Sequence, residues 1–398
     1  MHFLALAADY DGTIAEDGVV HPETVAALRR LKDTGRNLIL VTGRQLDELK
    51  RVFPEHLLFD LIVAENGALF FDCRSGHEHV LAPAPPAELV TSLLSRGVGP
   101  VAVGRVVVAT WQPHEHAVLQ AIQELGLEYQ MIFNKGAIMI LPSNINKAAG
   151  LDAALRELDI SPLNVVAVGD AENDHSLLRL CGCSAAVANA LSSLKAEAQI
   201  VLNGDHGAGV IELTQRIIGE DAELVSLERR GISAGDPRPD GKNLILPTDF
   251  ILILGNSGCG KSSLATFLTE QMTTARSEFC VIDPEGDYIG LANAETIGGI
   301  SDPPSMQDVL RLVLKVGSNV VVNAVALDQG ERHDLFAGLV DSIVRLRLRS
   351  GRPHWLLVDE AHHFLPASAP YEDLVETGGI MITLNAKRLP RQLLRHVD

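Results

Sequence analysis

Two closely spaced aspartates follow the first apolar segment of the sequence. The stretch "LALAADYDGT" places Asp9 and Asp11 two residues apart, directly before Gly12. If a strand ends there and the chain turns at the glycine, both carboxylates can face the same space. One carboxylate can then attack a phosphorus atom while the other handles the proton of the leaving group. The pair therefore predicts covalent phosphoryl chemistry.

Three further polar segments occupy comparable positions. Thr42 and Gly43 follow a second apolar run, Lys147 begins a helical segment, and Asp170 follows a later apolar run. In a doubly wound sheet, the carboxyl ends of strands and the amino ends of helices converge on one crevice. Taken singly, each residue is as well explained as a turn or surface residue. Together and in this order, they predict a single phosphate site.

The charges of these residues predict a bound cation and a bound anion. Asp9, Asp11 and Asp170 would repel one another unless a hard cation such as Mg²⁺ lay among their oxygens. Lys147 faces the positive end of a helix dipole, which is unfavourable unless an anion lies between them. Thr42 and the amides around Gly43 could donate to the same anion. The sequence thus predicts Mg²⁺ and a small phosphorylated substrate.

A second phosphate-binding pattern begins beyond the middle of the chain. "GNSGCGKS" at 255–262 matches GxxxxGK[ST] between an apolar strand and a helical run, the context that a P-loop requires. The predicted nucleotide-binding residues are Gly255, Gly258, Gly260, Lys261, Ser262, Ser263, Asp359 and Glu360. Asp359 ends the apolar run of "HWLLVDEAHHF" and would hold the Mg²⁺ shell, while Glu360 is placed to polarise a water. The pattern predicts ATP binding and hydrolysis.

The elements that must position these residues alternate between apolar strands and helices. This order predicts an α/β fold with right-handed crossovers and a doubly wound parallel sheet. Residues 83–141 change the order to helix, two strands, helix, two strands, so we expect an inserted α/β cap there. The predicted domains are a core of 1–82 and 142–217, a linker or hairpin over 218–247, and a P-loop α/β domain over 248–398.

Composition limits the classes of partner. Hydrophobic residues make up 46% of the chain and charged residues 21%, which is typical of a globular protein. A net charge of −18 and 4% aromatic residues argue against a general nucleic-acid surface. Clustered cations at 345–352 and 386–396 leave a local nucleic-acid contact open, and a solvated helix face is the simpler interpretation.

Several features predict a cytoplasmic protein without a membrane partner. The apolar amino terminus has no basic lead and reaches aspartates at once, as a strand does and a signal peptide does not. No apolar run approaches the ~20 residues that span a bilayer. The five cysteines lack zinc-site spacing, which indicates a reducing compartment.

The four segments of the first half resemble the haloacid dehalogenase superfamily, and "VAENGALFF" with "GDAENDHSLL" looks like its Cof-type phosphatases. The resemblance covers about residues 1–217. It implies that Asp9 is a nucleophile forming an aspartyl-phosphate, and that Asp11 acts first as general acid and then as base. Thr42 and Lys147 would hold the transferring phosphoryl group.

The same resemblance implies ligand sets. Metal ligands would come from Asp9, Asp11 (through its backbone carbonyl), Asp170 and Asp174, and phosphate contacts from Thr42, Gly43, Lys147 and Asn173. Substrate choice would come from the cap, where the candidates are Arg105, Trp111, His114 and His116. The expected substrate is a sugar phosphate or another small phosphomonoester.

The second half is similar to HerA/FtsK-like P-loop ATPases, through "FCVIDPEGDYIGL" and "LVDEAHHF". The resemblance covers about residues 229–398 and implies a RecA-like sheet and homo-oligomeric ring assembly. Asn385 stands near the place where such motors carry a glutamine, and no arginine finger can be assigned. Because further strands are expected after "LLRHVD", we expect a truncated or degenerate module.

These features leave three hypotheses. The first is a Mg²⁺-dependent phosphomonoesterase with an appended ATP-binding module. The second is a nucleic-acid-linked motor whose first domain trims ends or regulates. A third, a kinase–phosphatase acting on polynucleotide ends, is disfavoured because adjacent Asp359 and Glu360 suit hydrolysis.

Overall fold

The structure, a computed structural model, forms two compact units, Met1–Leu224 and Val225–Asp398, here called the first and second units. It describes residues 2–225, 231–235, 245–246, 250–365, 379–391 and 393–396. Within these residues, no helix combines the length and apolar character needed to cross a membrane.

The first unit alternates strands and helices around an inserted module. Its helices are α1 (Pro22–Asp33), α2 (Leu46–Val52), α3 (Ala87–Ser95), α4 (Glu115–Glu124), α5 (Lys147–Glu157), α6 (His175–Leu180), α7 (Ser192–Glu197) and α8 (His206–Glu220). Its strands are β1 (Ala5–Asp9), β2 (Ala15–Glu16), β3 (Val19–Val20), β4 (Asn37–Val41), β5 (Leu61–Ala64), β6 (Leu69–Asp72), β7 (Glu78–Val80), β8 (Ala102–Val103), β9 (Val108–Trp111), β10 (Tyr129–Asn134), β11 (Ala137–Pro142), β12 (Val165–Gly169), β13 (Cys183–Ala186) and β14 (Ile200–Val201).

The main sheet of the first unit has the order β14-β13-β12-β1-β4-β5-β6-β7. Strands β14 to β5 are parallel, and β6 and β7 extend the sheet antiparallel. β1 lies at the centre between β12 and β4, and all its side chains are buried, which explains its continuous run of small apolar residues. This position fixes the end of β1 beside the ends of its two neighbours.

The cap is a separate antiparallel sheet with the order β10-β11-β9-β8. Helices α3 and α4 pack on it through a core that includes Leu89, Leu93, Val118 and Ile138. β10 and β11 are joined by a two-residue turn at Lys135 and Gly136, which have φ values of 49° and 89°. Positive φ at both positions is the geometry of a tight hairpin turn.

The second unit is a parallel sheet covered by helices. Its helices are α9 (Lys261–Thr274), α10 (Met306–Leu314) and α11 (Gln329–Ser350). Its strands are β15 (Ile232–Ser233), β16 (Ile245–Leu246), β17 (Phe250–Leu254), β18 (Phe279–Asp283), β19 (Glu295–Ile297), β20 (Val320–Asn323), β21 (Trp355–Val358) and β22 (Gly379–Thr383). In the described part of the chain, the six-stranded sheet has the order β17-β22-β21-β18-β20-β19. Apolar clusters cover both of its faces.

The predicted α/β class, with a doubly wound parallel core, an inserted cap and a P-loop α/β domain, is confirmed. β15 and β16 pair antiparallel. Other parts of the predicted linker or hairpin lie outside the described residues, and the predicted domain boundaries remain predictions.

Candidate active site

The predicted phosphate-site residues of the first unit lie at neighbouring strand ends. Asp9 is the last residue of β1 and pairs with Val41, so Thr42 follows directly beside it. β12 runs parallel on the other side of β1, and Asp170 follows its last residue. Asp9, Thr42 and Asp170 are all buried. Three segments that are distant in sequence therefore meet at one edge of the sheet.

Lys147 joins two of the buried carboxylates. Its ammonium lies 2.5 Å from Asp9 Oδ1 and 2.6 Å from Asp174 Oδ1, and its side chain is 1% exposed. It is the first residue of α5, which begins there because the Asn146 side chain accepts a hydrogen bond from Ala149 N. Burial lowers the pKa of Lys147, but the Asp174 and Asp9 carboxylates raise it above its usual value. The lysine is thus held charged between two carboxylates.

Three carboxylates form a cluster of metal-ligand character. One oxygen from each of Asp9, Asp170 and Asp174 lies within 4.8 Å of the others. Burial raises the pKa of Asp9, and the nearby Asp174 charge raises it further. Burial also raises the pKa of Asp170. An all-oxygen set that is costly to ionise fits a hard divalent cation such as Mg²⁺.

Asp174 and Asp170 also accept hydrogen bonds from neighbouring groups. Asp174 Oδ2 accepts hydrogen bonds of 3.0 Å from the backbone N–H groups of Asp170 and Ala171, which fixes the loop after β12. Asp170 Oδ1 accepts from the Thr13 hydroxyl at 3.3 Å. Asn173 donates to Asn66 Oδ1 at 3.1 Å. Its own buried Oδ1 has no protein partner within the described residues.

Asp11 has a different environment from the cluster. Arg44 donates to both of its carboxylate oxygens at 2.7 Å, and the same guanidinium donates to Glu48 at 2.7 Å. β1 ends at Asp9, and Gly12, with φ of 86°, turns the chain directly after Asp11. The Asp11 carboxylate therefore lies outside the three-carboxylate cluster, while its backbone carbonyl faces the same region. Arg44 directly follows the predicted phosphate-site residues Thr42 and Gly43, and the sequence pattern predicts no role for it.

A cap lysine, which the sequence did not single out, enters this site. Lys135, at the β10–β11 turn, places its ammonium 2.8 Å from Asp170 Oδ2 and 2.9 Å from the Asp11 carbonyl oxygen. It also borders a cavity of about 310 Å³ whose walls include Asp11, Arg44 and Trp111. Its only sequence signal is the "NKG" turn, which predicts a hairpin and no chemistry.

A second contact between cap and core uses Glu65. The buried Glu65 carboxylate accepts hydrogen bonds from the backbone N–H groups of Arg105, Val106 and Val107, at 2.9, 3.0 and 3.2 Å. A side chain at Gly104 would meet this carboxylate at 2.5 Å, which explains the glycine. We call these contacts the Glu65 clamp.

The four predicted substrate-choice residues of the cap are placed differently from one another. Trp111 borders the cavity. Arg105 pairs with Asp47 at 2.8 Å and Glu78 at 3.4 Å. His114 lies 3.2 Å from the Gly99 carbonyl oxygen, and His116 is exposed. Only Trp111 of the four is among the residues that line this cavity.

In the second unit, the glycine-rich loop follows β17 and leads into α9. Gly258 and Gly260 have φ values of 76° and 95°, a region that favours glycine. Lys261 is the first residue of α9, so the loop amides and the helix amino terminus point to the same space. Gly255, Ser262 and Ser263 complete the predicted set on this loop and first turn.

The predicted partner element faces this loop. Asp359 and Glu360 follow β21, and Glu360 Oε1 lies 3.8 Å from the Lys261 ammonium. Glu360 has a φ of 40°, a strained conformation for this residue type. Burial raises the pKa of Asp359 and of Glu360. The structure thus brings the two predicted nucleotide motifs together within the second unit.

The "DPEGDY" loop supplies further contacts that we did not predict. Asp283 accepts hydrogen bonds from four backbone N–H groups of residues 285–288, which folds the loop around it. Tyr288 donates its hydroxyl to Asp359 Oδ2 at 2.9 Å, and Ser262 donates to Asp287 Oδ2 at 3.1 Å. The loop therefore contacts both Ser262 of the glycine-rich loop and Asp359 of the partner element.

Several arginines of the basic stretch at 345–352 are buried or paired within the second unit. Arg352 is fully buried and pairs with Glu278 at 3.1 Å. Arg347 donates to the Pro353 carbonyl at 2.7 Å. Arg345 pairs with Asp341 on the same helix. These contacts account for much of the cation cluster as structure, so neither a solvated face nor a nucleic-acid patch describes it as a whole.

Comparison with known proteins decides the family. Residues 6–93 and 105–213 match the family model of haloacid dehalogenase-like hydrolases. The phosphoglycolate phosphatase of Methanothermobacter thermautotrophicus is 30% identical over 225 residues, covering 54% of this chain and 99% of that protein. The chain belongs to the haloacid dehalogenase-like hydrolases.

Relatives of this hydrolase include other phosphatases. The phosphoglycolate phosphatase of Aeropyrum pernix is 28% identical over 235 residues, covering 54% of this chain and 92% of that protein. A Thermoplasma acidophilum crystal structure is similar at 15% identity and a TM-score of 0.49, covering 56% of this chain and 100% of that one. The hydrolase is a phosphoric monoester hydrolase, as predicted.

The second unit of the hydrolase matches a different family model. Residues 247–390 match the family model of an AAA domain. The predicted fusion of a haloacid dehalogenase-like phosphatase with a P-loop domain is confirmed. The narrower HerA/FtsK-like branch remains a prediction.

Proposed function

We propose that the first unit hydrolyses a small phosphomonoester that carries a carboxylate, of which 2-phosphoglycolate is the simplest. The observation that carries the proposal is the buried cluster of Asp9, Asp170 and Asp174 around Lys147, at the strand ends of a chain whose relatives are named phosphoglycolate phosphatases. The cavity of about 310 Å³ beside Asp11 suits a small substrate. The prediction of a sugar phosphate or another small phosphomonoester is thereby narrowed to a phosphomonoester that carries a carboxylate.

The proposed reaction has two displacements at phosphorus. Asp9 attacks the phosphorus atom, the bond to the ester oxygen breaks, and Asp11 protonates the departing alcohol. Asp11 then takes a proton from water, whose oxygen attacks the aspartyl-phosphate, releasing inorganic phosphate and restoring Asp9. Because Arg44 donates to both Asp11 oxygens, it must release one of them before Asp11 can act as an acid.

The other residues of the proposed site would balance the charges of the cation and the phosphate or position the groups that bind them. Mg²⁺, bound by Asp9, Asp170 and the Asp11 carbonyl, would offset the repulsion between the carboxylates and the phosphate. Lys147 keeps Asp9 oriented, and the Thr42 hydroxyl and the Gly43 amide are available as donors to phosphate oxygens. Asp174 anchors both Lys147 and the loop that carries Asp170. Asn173 offers its amide to the same space.

The test is phosphate release from 2-phosphoglycolate and p-nitrophenyl phosphate, with Mg²⁺ or EDTA. We expect Asp9→Asn to lower kcat by at least about 10³-fold, because the covalent step is lost. Asp152→Asn is the matched control, since Asp152 is partly exposed on α5 and pairs with Arg156 one turn further along the helix. An active Asp9→Asn variant, or full wild-type activity in EDTA, would contradict the proposal.

We further propose that the second unit binds and hydrolyses ATP. The support is the loop at 255–262 facing Asp359 and Glu360, with Ser262 and Asp359 both joined to the "DPEGDY" loop. Lys261 would contact the outer phosphates, and Ser262 and Asp359 would hold Mg²⁺. Glu360 would polarise the attacking water.

ATP turnover tests this second activity. We expect Lys261→Ala to abolish it and Lys315→Ala to leave it unchanged, since Lys315 is an exposed lysine paired with Glu295. Unchanged turnover in Lys261→Ala would refute the loop as the nucleotide site. Adding duplex DNA to the same assay tests the motor alternative, which requires stimulation.

A further inference from the structure

Lys135 is presented to the active site by the backbone of the cap. The β10–β11 pairing ends with Asn134 opposite Ala137, so the turn residues form the tip of the hairpin. No other lysine occurs between residues 83 and 141. The Lys135 side chain is 51% exposed, so moving its ammonium costs little desolvation. The cap therefore places one half-exposed lysine charge at the candidate active site.

The present partners of Lys135 are atoms that the proposed metal would use. Its ammonium lies 2.8 Å from Asp170 Oδ2 and 2.9 Å from the Asp11 carbonyl. A lysine ammonium and a divalent cation cannot occupy the same position between these oxygens. In the metal-bound site, the ammonium must therefore leave this position, and it would then be free to bind an anionic group within reach of the turn.

The walls of the cavity beside Asp11 show where that partner can be. Arg44 also lines this cavity, but its guanidinium is held by three hydrogen bonds to Asp11 and Glu48. Trp111 and Met139 supply apolar surface. Lys135 is thus the lining cation that metal binding would release, and it would face whatever part of the substrate extends from the phosphate.

We propose that Lys135 is the specificity-determining residue that binds the carboxylate of the substrate. The inference rests on the proposed phosphatase function. It assigns recognition of the substrate's second anionic group, the carboxylate, to one cap side chain. A charge-assisted hydrogen bond from the ammonium would favour a carboxylated phosphomonoester over a neutral one of the same size. The same side chain would compete with Mg²⁺ when no substrate is bound.

The test compares 2-phosphoglycolate with 2-hydroxyethyl phosphate, which has a hydroxymethyl group in place of the carboxylate. We expect Lys135→Met to raise KM for 2-phosphoglycolate by about 10- to 100-fold, because the variant loses a hydrogen bond to a charged group. For 2-hydroxyethyl phosphate, kcat/KM should change by less than about 3-fold, as for an exposed charge. Lys135→Arg should retain the preference for the carboxylate.

A binding measurement provides a readout independent of turnover. Calorimetric titration of the substrate-free protein with MgCl₂ should show tighter binding to Lys135→Met than to the wild type, because the competing ammonium is gone. Arg96→Met is the matched control, since Arg96 pairs with Glu124 elsewhere on the cap. It should match the wild type in both measurements.

The outcomes separate this inference from the proposed function. If the wild type hydrolyses neither substrate, the proposed function fails. If the wild type is active but Lys135→Met lowers kcat/KM equally for both substrates, or for neither, the assignment of Lys135 is overturned. Unchanged Mg²⁺ affinity in Lys135→Met would refute the competition between ammonium and metal.

Discussion

Lys147 is the residue on which the charge balance of the site depends. It is buried between Asp9 and Asp174, and Asp170 lies in the same cluster. Without its ammonium, the buried Asp9 and Asp174 carboxylates would lose the lysine that lies between them, while Asp170 would keep its pairing with Lys135. Removing one partner of a buried ion pair costs more than the pair contributes, because the remaining charge stays desolvated.

We predict that Lys147→Met lowers the free energy of unfolding by about 3–5 kcal/mol in EDTA at pH 8. MgCl₂ should restore part of this loss. Burial and Asp174 raise the pKa of Asp9, so the folded variant takes up protons more readily than the unfolded chain. Its stability deficit should therefore shrink as the pH falls towards 5. Urea denaturation with and without MgCl₂, at both pH values, measures these effects.

Lys32→Met is the matched control for this prediction. Lys32 pairs with Asp60 at 3.2 Å, but its side chain is 34% exposed. We expect its removal to cost about 1 kcal/mol or less, with no dependence on Mg²⁺. Equal losses in the two variants would show that the buried cluster has no special charge requirement.

At the scale of elements, the Glu65 clamp determines how the cap meets the core of the first unit. The clamp residue belongs to the short 3-10 helix after β5, and its three partners directly precede β9. Two of the partners, Val106 and Val107, are buried, so their amides cannot turn to water if the carboxylate is lost. The clamp thus fixes the cap through main-chain hydrogen bonds.

We predict that Glu65→Ala destabilises cap docking by about 2–4 kcal/mol, because buried N–H groups lose their acceptor. Amide hydrogen exchange at residues 105–107 should accelerate, and KM for the phosphorylated substrate should rise. Glu55→Ala is the control at an exposed glutamate of the same unit. Unchanged exchange at 105–107 would show that other contacts hold the cap.

The elements were more predictable from the sequence than their contacts. Asp9, Thr42 and Asp170 each follow an apolar run, and parallel strands bring such positions to one edge, so their proximity follows from topology. Their catalytic roles remain predictions. Lys135 could not be foreseen, because its contact with Asp170 depends on how a separate sheet docks over the core.

Glu65 escaped prediction for a related reason. A buried glutamate at a φ of 51° gives no periodic signal, and its partners are backbone amides, which every sequence contains. In the second unit, Tyr288 lies within the motif "FCVIDPEGDYIGL", but its hydrogen bond to Asp359 joins loops that are distant in sequence. Local pattern identifies an element, whereas such contacts depend on tertiary packing.

At the scale of the whole molecule, each unit has its own sheet and its own buried core. Among the residues that the structure describes, those of each candidate site come from a single unit. We therefore predict that Lys261→Ala leaves the phosphatase rate within about 2-fold of the wild type, because a substitution outside the phosphatase site has only a small effect. Asp9→Asn should likewise leave ATP turnover unchanged.

Both rates can be measured on the same preparations, with the phosphatase assayed in the presence and absence of ATP. A phosphatase rate that responds to ATP in the wild type but not in Lys261→Ala would demonstrate coupling and contradict independence. The net charge of −18 and the inward-turned Arg347 and Arg352 lead us to expect no stimulation by DNA.

The Glu65 clamp also bears on how new substrate preferences can be built. Its carboxylate binds the main chain of residues 105–107, with Gly104 leaving room for it, and so places few demands on cap side chains. A cap transplanted from a relative should seat on the same carboxylate if it keeps this short turn. Chimeras of this kind would exchange the hairpin tip that reaches the substrate while leaving the catalytic edge of the sheet intact.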